Sequence, residues 1–290
     1  MEAQVQTQVS RRKKRKARKR VIPGFGLTLG ITVTMLSLLI LIPLASILAY
    51  SFKMSGSEFL ELLAQENVRR AFATSIGCAL IAAVINCVTG LLLAWILVRY
   101  EFPGKRLMDG MIELPFALPT AVAGITLTKM YSDQGMMGKF LGLFGIEVSY
   151  TRLGIIVAMV FIGIPFVVRA VQPVLEKLPK ELEEAGTMLG AGPVYIFRRI
   201  ILPELMPALL TGFGLALARG IGEYGSVIYI SGNSEKNGTQ VISYIIMQKL
   251  NSGQVDYEGA SAIALVMLII SFALLFIVNM IQIAAARRTK

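Results

Sequence analysis

The chain has 290 residues, of which 55% are hydrophobic and only 16% are charged, and its formal net charge is +11. This composition excludes an ordinary soluble domain, because several apolar windows reach the ~20 residues that a spanning helix needs and could face only lipid or one another. The chain has no histidine, which excludes a histidine base or a histidine metal site. No cluster of carboxylates predicts a metal site of another kind.

The first predicted element is a basic tail. Residues 11–20 contain nine basic side chains, and Glu2 is the only acid before Val21. We predict that residues 1–24 are disordered and lie in the cytoplasm, where the tail can contact anionic lipid headgroups. A nucleic-acid-binding arm is the alternative for such a run. We favour the lipid contact and expect no nucleic-acid partner.

Residues 25–287 form one predicted membrane domain, and the predicted fold class is all-α. With the N-terminus inside, 20 lysines and arginines fall on the inner segments and eight on the outer ones, while Arg219 lies within a span. The positive-inside rule then predicts that both termini are cytoplasmic. The six predicted transmembrane helices lie near residues 28–50, 72–98, 108–130, 153–175, 206–230 and 259–284.

Two prolines, Pro115 and Pro119, interrupt the third predicted span. A proline in a membrane helix frees backbone groups that neighbouring helices or water must satisfy. These prolines therefore indicate a bent helix beside a water-accessible path, and an ordinary kink is the alternative. Glu113, just before them, could lie at the membrane interface.

The longest inner loop, about residues 176–205, contains a predicted short helix over residues 179–190. Pro179 suits a first helical turn, three glutamates favour the positive end of the helix dipole, and the glycines and proline of residues 190–193 end the helix. At ~16 Å this helix is too short to cross a membrane. A second short helix is predicted near residues 194–201.

The predicted short helix is amphipathic. Leu182, Ala185 and Leu189 share one face, and the small residues Ala185 and Gly186 would let another surface approach closely. Such a helix in the cytoplasm is the ligand half of a helix-in-groove contact. The alternative is a helix that lies on the lipid surface, but anionic lipid would repel the three glutamates. We therefore predict a protein partner.

The same loop resembles the cytoplasmic signature of ABC importer permeases. That signature is Glu-Ala-Ala, three residues, Gly, nine residues, Ile, any residue, Leu-Pro, and the chain matches it with Glu184, Ala185, Gly186, Gly190, Ile200, Leu202 and Pro203. Gly186 replaces the second alanine. The resemblance implies a type I (MetI-like) permease fold, in which this loop is the coupling helix that docks on a separate ATPase subunit.

The chain itself contains no run of the Gly-x-x-x-x-Gly-Lys-Ser/Thr type, which cradles nucleotide phosphates. We therefore expect no cofactor and no enzyme activity in this chain, with ATP used by the partner ATPase.

The fifth predicted span holds two charges, Arg219 and Glu223, four residues apart near its midplane. Charges at that depth usually face a bundle interior or a water-filled path. Together with Pro115 and Pro119, they are candidates for the translocation path or gate, and a structural ion pair is the alternative. The same helix repeats small residues every four positions, which predicts close helix packing, at Gly212, Ala216 and Gly220.

Further segments carry a closer resemblance. The run "ALARGIGEYGSVIYISGN" (216–233) is similar to permeases of sulfate/thiosulfate and molybdate importers. The runs "LPFALPTAVAGITL" (114–127) and "DYEGASAIALVMLIISFALLFIVNMIQ" (256–282) resemble the T-type (CysT-like) permeases of sulfate/thiosulfate importers more than the molybdate ones. The similarity covers residues 27–287.

That resemblance implies a permease subunit for sulfate/thiosulfate in the bacterial cytoplasmic membrane, surrounded by membrane lipid. Its implied partners are ABC ATPase subunits, a second related permease subunit and an extracytoplasmic sulfate-binding protein. A molybdate/tungstate permease is the alternative within the family.

Two alternatives come from other classes. A secondary transporter coupled to protons through Glu223 or Glu113 predicts inverted repeats with paired broken helices, and the chain has no convincing second copy of the Arg219–Glu223 block. A membrane scaffold without transport would not need the cytoplasmic signature with both of its long spacings.

Overall fold

The computed structural model describes residues 25–288, so the predicted basic tail lies outside the described residues. Between residues 25 and 288 the chain forms helices and no strand, which confirms the all-α fold class. The helices are α1 (Phe25–Ser51), α2 (Gly56–Ala64), α3 (Glu66–Arg99), α4 (Lys105–Ile112), α5 (Leu114–Ala117), α6 (Thr120–Tyr131), α7 (Met136–Gly142), α8 (Arg152–Lys177), α9 (Glu181–Met188), α10 (Pro193–Ile196), α11 (Leu202–Ile221), α12 (Val227–Ile230), α13 (Ile242–Asn251) and α14 (Tyr257–Arg288), with a π-helical turn, Phe197–Ile201, between α10 and α11.

The chain divides into two units, residues 1–46 and residues 47–290. The described part of the first unit, residues 25–46, is a continuous helix whose side chains are nearly all exposed. The second unit contains the end of α1 and every later helix. It holds the hydrophobic core, whose buried members run along the chain from Leu62 to Met267.

Five helical segments within the described residues are long and apolar enough to cross a membrane. Four of the five contain a predicted span completely. The remaining segment, Pro193–Ile221, overlaps its predicted span, residues 206–230, only in part. No sixth helix of that length occurs between residues 25 and 288, so six crossings remain a prediction. The five segments are Phe25–Ser51, Glu66–Arg99, Arg152–Lys177, Pro193–Ile221 and Tyr257–Ala285.

The third predicted span, residues 108–130, is not one helix. It is divided among α4, α5 and α6. Leu118 is extended, with φ −84° and ψ 135°, because the ring of Pro119 disfavours a helical backbone in the preceding residue. Pro115 lies in the first turn of α5, where its missing N–H leaves no hydrogen bond unmade. Pro119 thus accompanies a complete break instead of a bend, whereas Pro115 follows a one-residue interruption at Glu113, whose backbone stays in the helical region.

The fifth predicted span, residues 206–230, also differs from the prediction. One continuous helical segment runs from Pro193 to Ile221, so the second short helix predicted near residues 194–201 is not separate. Pro203 does not stop this segment, because the π-helical turn before it changes the spacing of the backbone hydrogen bonds. In that turn the Leu202 N–H donates to the carbonyl of Phe197, five residues back.

The segment ends at Gly222, and the chain is not helical again until α12 begins at Val227. Glycines at positions 220, 222 and 225 lower the helix propensity there. The predicted span therefore extends past the true end of the helix.

The helices α3, α8 and α11 form the packed centre of the second unit. A methyl group added to Gly212 of α11 would lie 2.8 Å from the Val167 Cα on α8, and one added to Gly220 would lie 3.3 Å from the Ala79 Cβ on α3. Ala216 is buried between them along the same helix. These contacts confirm that the small residues of α11 permit close helix packing.

The loop between α12 and α13 is tied to the N-terminal part of α3. The Gly238 carbonyl accepts hydrogen bonds from Thr74 Oγ1 at 3.1 Å and from Arg152 Nε at 3.0 Å. The Ile242 N–H donates to Ser75 Oγ at 2.8 Å. This loop therefore lies at the end of the helices opposite to the C-terminus of α3.

Asp256 caps α14 at the same end. Its Oδ1 accepts the Gly259 N–H at 2.7 Å, and its Oδ2 pairs with Lys249 Nζ at 2.8 Å. Burial raises the pKa of the Asp256 carboxyl, but the hydrogen bonds from Lys249 and Gly259 outweigh burial and leave that pKa below its ordinary value. Since the folded pKa is lowered, the cap stabilises the protein above the ordinary carboxyl pKa and loses this contribution as the pH falls through the lowered one.

Candidate functional site

The helix α9 is the short helix that the sequence predicted over residues 179–190, and it is slightly shorter than predicted. The turn that follows α9 contains Gly190, which has φ +79°, a left-handed conformation that glycine adopts without strain. The Gly190 N–H donates to the Thr187 carbonyl at 2.9 Å, and the Ala191 N–H donates to the Gly186 carbonyl at 3.0 Å. These paired bonds form a Schellman motif, so Gly190 fixes the direction in which the chain leaves α9.

Replacing Gly190 with alanine should destabilise the permease by ~1 kcal/mol, the usual cost of a left-handed backbone in a residue with a Cβ. The space beside Gly190 is open, so this cost comes from the backbone alone. Gly110→Ala in α4 is the matched control, because its surroundings are also open and its backbone is helical. Alanine there should stabilise the helix by up to ~1 kcal/mol. Thermal unfolding of the two variants measures both effects, and shifts of the same sign would contradict the conformational role of Gly190.

An exposed apolar surface surrounds the C-terminal end of α9. The side chains of Met188 and Leu189 are 88% and 89% exposed. Val194 and Tyr195, at the start of α10, are exposed as well. We call this patch the coupling surface, and its members are Leu182, Ala185, Met188, Leu189, Val194 and Tyr195.

Sequence reasoning found half of the coupling surface. It predicted the apolar face of Leu182, Ala185 and Leu189, all of which are exposed. It missed Val194 and Tyr195, because a count of helical positions stops at the turn around Gly190, and it also missed Met188 within the predicted helix. The available signals were the spacing of Met188, three residues after Ala185, and the apolar residues on both sides of the predicted helix stop.

The remaining signature residues lie beside or behind this surface. Glu184 is exposed, whereas Gly186 is buried. A methyl group at position 186 would lie 3.0 Å from Ile196 Cγ1 and 3.5 Å from Ile200 Cδ1. The close approach predicted at Gly186 is therefore made by the same chain and not by another protein. Of the rest of the signature, the half-buried members that begin or precede α11 are Ile200, Leu202 and Pro203.

Arg99, the last residue of α3, holds α9 in place. Its guanidinium pairs with the Glu183 carboxylate at 2.8 Å and donates to the Leu178 carbonyl at 3.2 Å. The Arg99 side chain is only 8% exposed, and its guanidinium lies 5.7 Å from the centroid of the Trp95 ring. Sequence reasoning missed Arg99, since no local pattern connects it with a residue so distant along the chain.

The structure brings Arg219 and Glu223 together. Glu223 lies just beyond the end of α11, and its Oε2 pairs with Arg219 Nη1. Its Oε1 accepts hydrogen bonds from the Ser226 N–H at 2.8 Å and from Ser226 Oγ at 2.9 Å. The Glu223 side chain is 1% exposed and that of Arg219 is 35% exposed. The carboxylate is therefore enclosed by the protein, while the arginine keeps part of its surface outside.

The broken segment that contains Pro115 and Pro119 is fastened to α8 by Arg169. The Arg169 guanidinium pairs with Asp109 at 2.8 Å and with Glu113 at 2.7 Å. The two carboxylates belong to α4 and to the break that follows it, so the network fixes the position of that break. Beyond it, α5, α6 and α8 border an apolar cleft of about 600 Å³.

A family model matches the part of the chain that contains these features. Residues 86–290 match the family described as the inner membrane component of binding-protein-dependent transport systems. The match covers well over half of the chain. The chain belongs to this family. As a family member with five helices able to cross a membrane, it is a multi-pass membrane protein and a component of a transport system.

Curated relatives of this permease match along nearly their whole lengths. The sulfate transport system permease protein CysT of Salmonella typhimurium is 47% identical over 270 residues, which cover 93% of this chain and 96% of the relative. A probable sulfate transport system permease protein of Nephroselmis olivacea is 47% identical over 253 residues, which cover 87% of this chain and 88% of the relative.

Solved structures resemble the permease at low identity. A bacterial ABC transporter involved in the import of the polysaccharide alginate has a TM-score of 0.74 at 17% identity, over 92% of this chain and 97% of that chain. The methionine transporter MetNI, in an inward-facing conformation, has a TM-score of 0.57 at 19% identity, over 80% of this chain and 99% of that chain. These likenesses confirm the type I ABC importer permease fold.

Proposed function

We propose that this chain is the permease subunit of an ATP-driven importer that forms the transmembrane path for sulfate and thiosulfate. The observation that carries this proposal is the 47% identity, along nearly the whole of both chains, to a permease named for sulfate transport. No observation favours the molybdate/tungstate alternative or an ion-coupled secondary transporter.

The coupling surface supports docking of an ABC ATPase subunit. Met188 and Leu189 are almost fully exposed, and burying a side chain of that size against a partner is worth ~1.5–3 kcal/mol. Tyrosine and methionine are enriched in protein interfaces, and the surface contains one of each. The exposed carboxylate of Glu184 stands at its edge, where it can pair with a basic group. ATP is used by that partner, and this chain contributes no cofactor.

One face of α11 supports a path for the anion. Thr211, Leu215 and Arg219 follow one another four residues apart on α11 and are wholly or partly exposed, and the exposed Gly222 comes directly after the end of the helix. An arginine turned toward lipid would be costly, so we assign this face to a water-filled path between this chain and a second, related permease subunit. Glu223 neutralises most of the charge of the arginine, which keeps the contact with a passing anion weak enough for release.

We assign the coupling surface and both termini to the cytoplasm of a bacterial cell. The basic residues near α9 and the basic tail support this orientation through the positive-inside rule. Residues 25–287 then form the membrane domain, with α4, α5 and α6 together making the sixth crossing. An extracytoplasmic sulfate-binding protein contacts the opposite end, and Pro115 and Pro119 are gate candidates beside the apolar cleft.

Uptake of labelled anions tests the proposed function. Deleting the gene should abolish sulfate uptake and leave molybdate uptake unchanged. Restoring the gene should restore sulfate uptake only when the second permease gene is also present. Loss of molybdate uptake with intact sulfate uptake would contradict the substrate. Recovery without the second permease would contradict a heterodimeric membrane core.

A further inference from the structure

The segment between α6 and α8, residues 132–151, presents large apolar side chains to the surroundings. Leu143 is 80% exposed. Lys139 is the only charged residue between Met136 and Ile146. The exposed apolar side chains of this stretch are Met136, Phe140, Leu143, Phe144 and Ile146.

The segment is held firmly at the end of α6. A methyl group added to Gly135 would lie 2.2 Å from the Met130 carbonyl oxygen, and one added to Gly138 would lie 2.0 Å from the Ser132 carbonyl oxygen. Only glycine therefore lets α7 pack so closely against the last turn of α6. The exposed apolar side chains that follow these glycines are therefore held in a fixed position relative to α6.

The order of the helices along the chain determines at which face of the membrane this segment lies. It ends where α8 begins, at Arg152, and α8 is long enough to cross the membrane before the chain reaches α9. The segment therefore lies at the membrane face opposite to the coupling surface. Exposed polar side chains bound the apolar stretch along the chain on both sides, among them Asp133, Gln134 and Glu147, as expected for a segment at the boundary between lipid and water.

We propose that residues 136–146 form an interfacial anchor that lies in the lipid leaflet opposite to the coupling surface. Phe140, Leu143 and Phe144 enter the boundary between headgroups and acyl chains, and Lys139 meets the lipid phosphates. A short helix with an apolar face and a basic residue beside it is suited to that boundary. This inference goes beyond the proposed function, because it requires only that the neighbouring helices cross the membrane.

A protein partner is less well suited to the same surface. A protein interface surrounds its apolar centre with polar groups that make about one hydrogen bond per 100–200 Å². Among the side chains from Met136 to Ile146, only that of Lys139 is polar. Its positive charge complements the phosphates that every phospholipid headgroup carries.

The single tryptophan of the chain, Trp95, allows a direct test. We would combine Trp95→Phe with Phe144→Trp, and separately with Leu143→Trp, in the complete transporter, reconstituted into bilayers with the tryptophans of its other subunits replaced by phenylalanine. Fluorescence is then quenched with iodide in water, with lipids brominated near the headgroup, or with lipids brominated near the acyl-chain terminus. The matched control is Trp95→Phe with Lys236→Trp, because Lys236 is exposed in the polar loop at the same end.

Both reporters should be quenched at least twice as strongly by lipids brominated near the headgroup as by iodide or by deeply brominated lipids. The control should be quenched by iodide alone. Iodide quenching of both reporters equal to that of the control would overturn the anchor. Strongest quenching by the deeply brominated lipids would also overturn it, as would protection from iodide that arises only when a sulfate-binding protein is added.

Discussion

Arg219→Leu alone should destabilise the permease more than Arg219→Leu combined with Glu223→Gln. The single change leaves a buried carboxylate without its cation, which costs ~3–5 kcal/mol when both partners are buried. Because Arg219 is 35% exposed, we expect about 2 kcal/mol here. The double variant removes both charges, and the glutamine oxygen can still accept the hydrogen bonds from Ser226. Thermal unfolding of the purified proteins measures the difference.

Glu223→Gln alone is the matched control. It keeps the acceptor for Ser226 and leaves an arginine that can still reach solvent, so its loss of stability should lie between those of the other two variants. Equal losses for Arg219→Leu and the double variant would show that the ion pair contributes no stability. Sulfate uptake by the stable double variant then separates the two roles, since full uptake would assign the pair to packing and not to the path.

Leu189→Asp should release the ATPase while leaving the permease folded. The Leu189 side chain is 89% exposed, so a carboxylate there meets water in the isolated permease and is desolvated only in the complex. The variant loses ~1.5–3 kcal/mol of apolar burial and must also desolvate a carboxylate, so we expect a loss of at least ~2 kcal/mol, which is roughly a thirty-fold loss of affinity. Binding of the purified ATPase to the reconstituted permease measures this loss.

Leu143→Asp provides the comparison for that measurement. Leu143 is also highly exposed, but it lies at the opposite end of the membrane-crossing helices. ATPase affinity should not change in this variant. An equal loss of affinity in both variants would contradict the assignment of the coupling surface, because the effect would then be a general one.

The long helices could be predicted from the sequence, because uninterrupted apolar windows have one stable state in a membrane. The effects of individual prolines could not. Pro119 accompanies a complete break, whereas Pro203 lies inside a continuous helical segment. The difference depends on the residues before each proline, extended in one case and π-helical in the other. Tertiary packing decides which of these conformations forms, and a short stretch of sequence does not determine tertiary packing.

The candidate site, too, could be predicted from the sequence only in part. Arg219 and Glu223 could be paired from the sequence, because residues four apart face each other on a helix. The bonds from Ser226 could not be foreseen, because they exist only if the helix ends before Glu223. The signature located α9, but the pairing of Glu183 with Arg99 depends on how two distant segments fold together.

The attachment of α9 to Arg99 has a mechanical consequence. α3 runs unbroken from Arg99 back to Ser75, about 36 Å at the rise of an α-helix, and there Ser75 holds the loop before α13. A helix of that length resists bending, and α11 and α8 pack against it along this stretch, at Ala79 and at Gly90. A displacement of α9 at Arg99 is therefore expected to be carried along one stiff helix to the loop before α13, at the other end of the membrane-crossing helices.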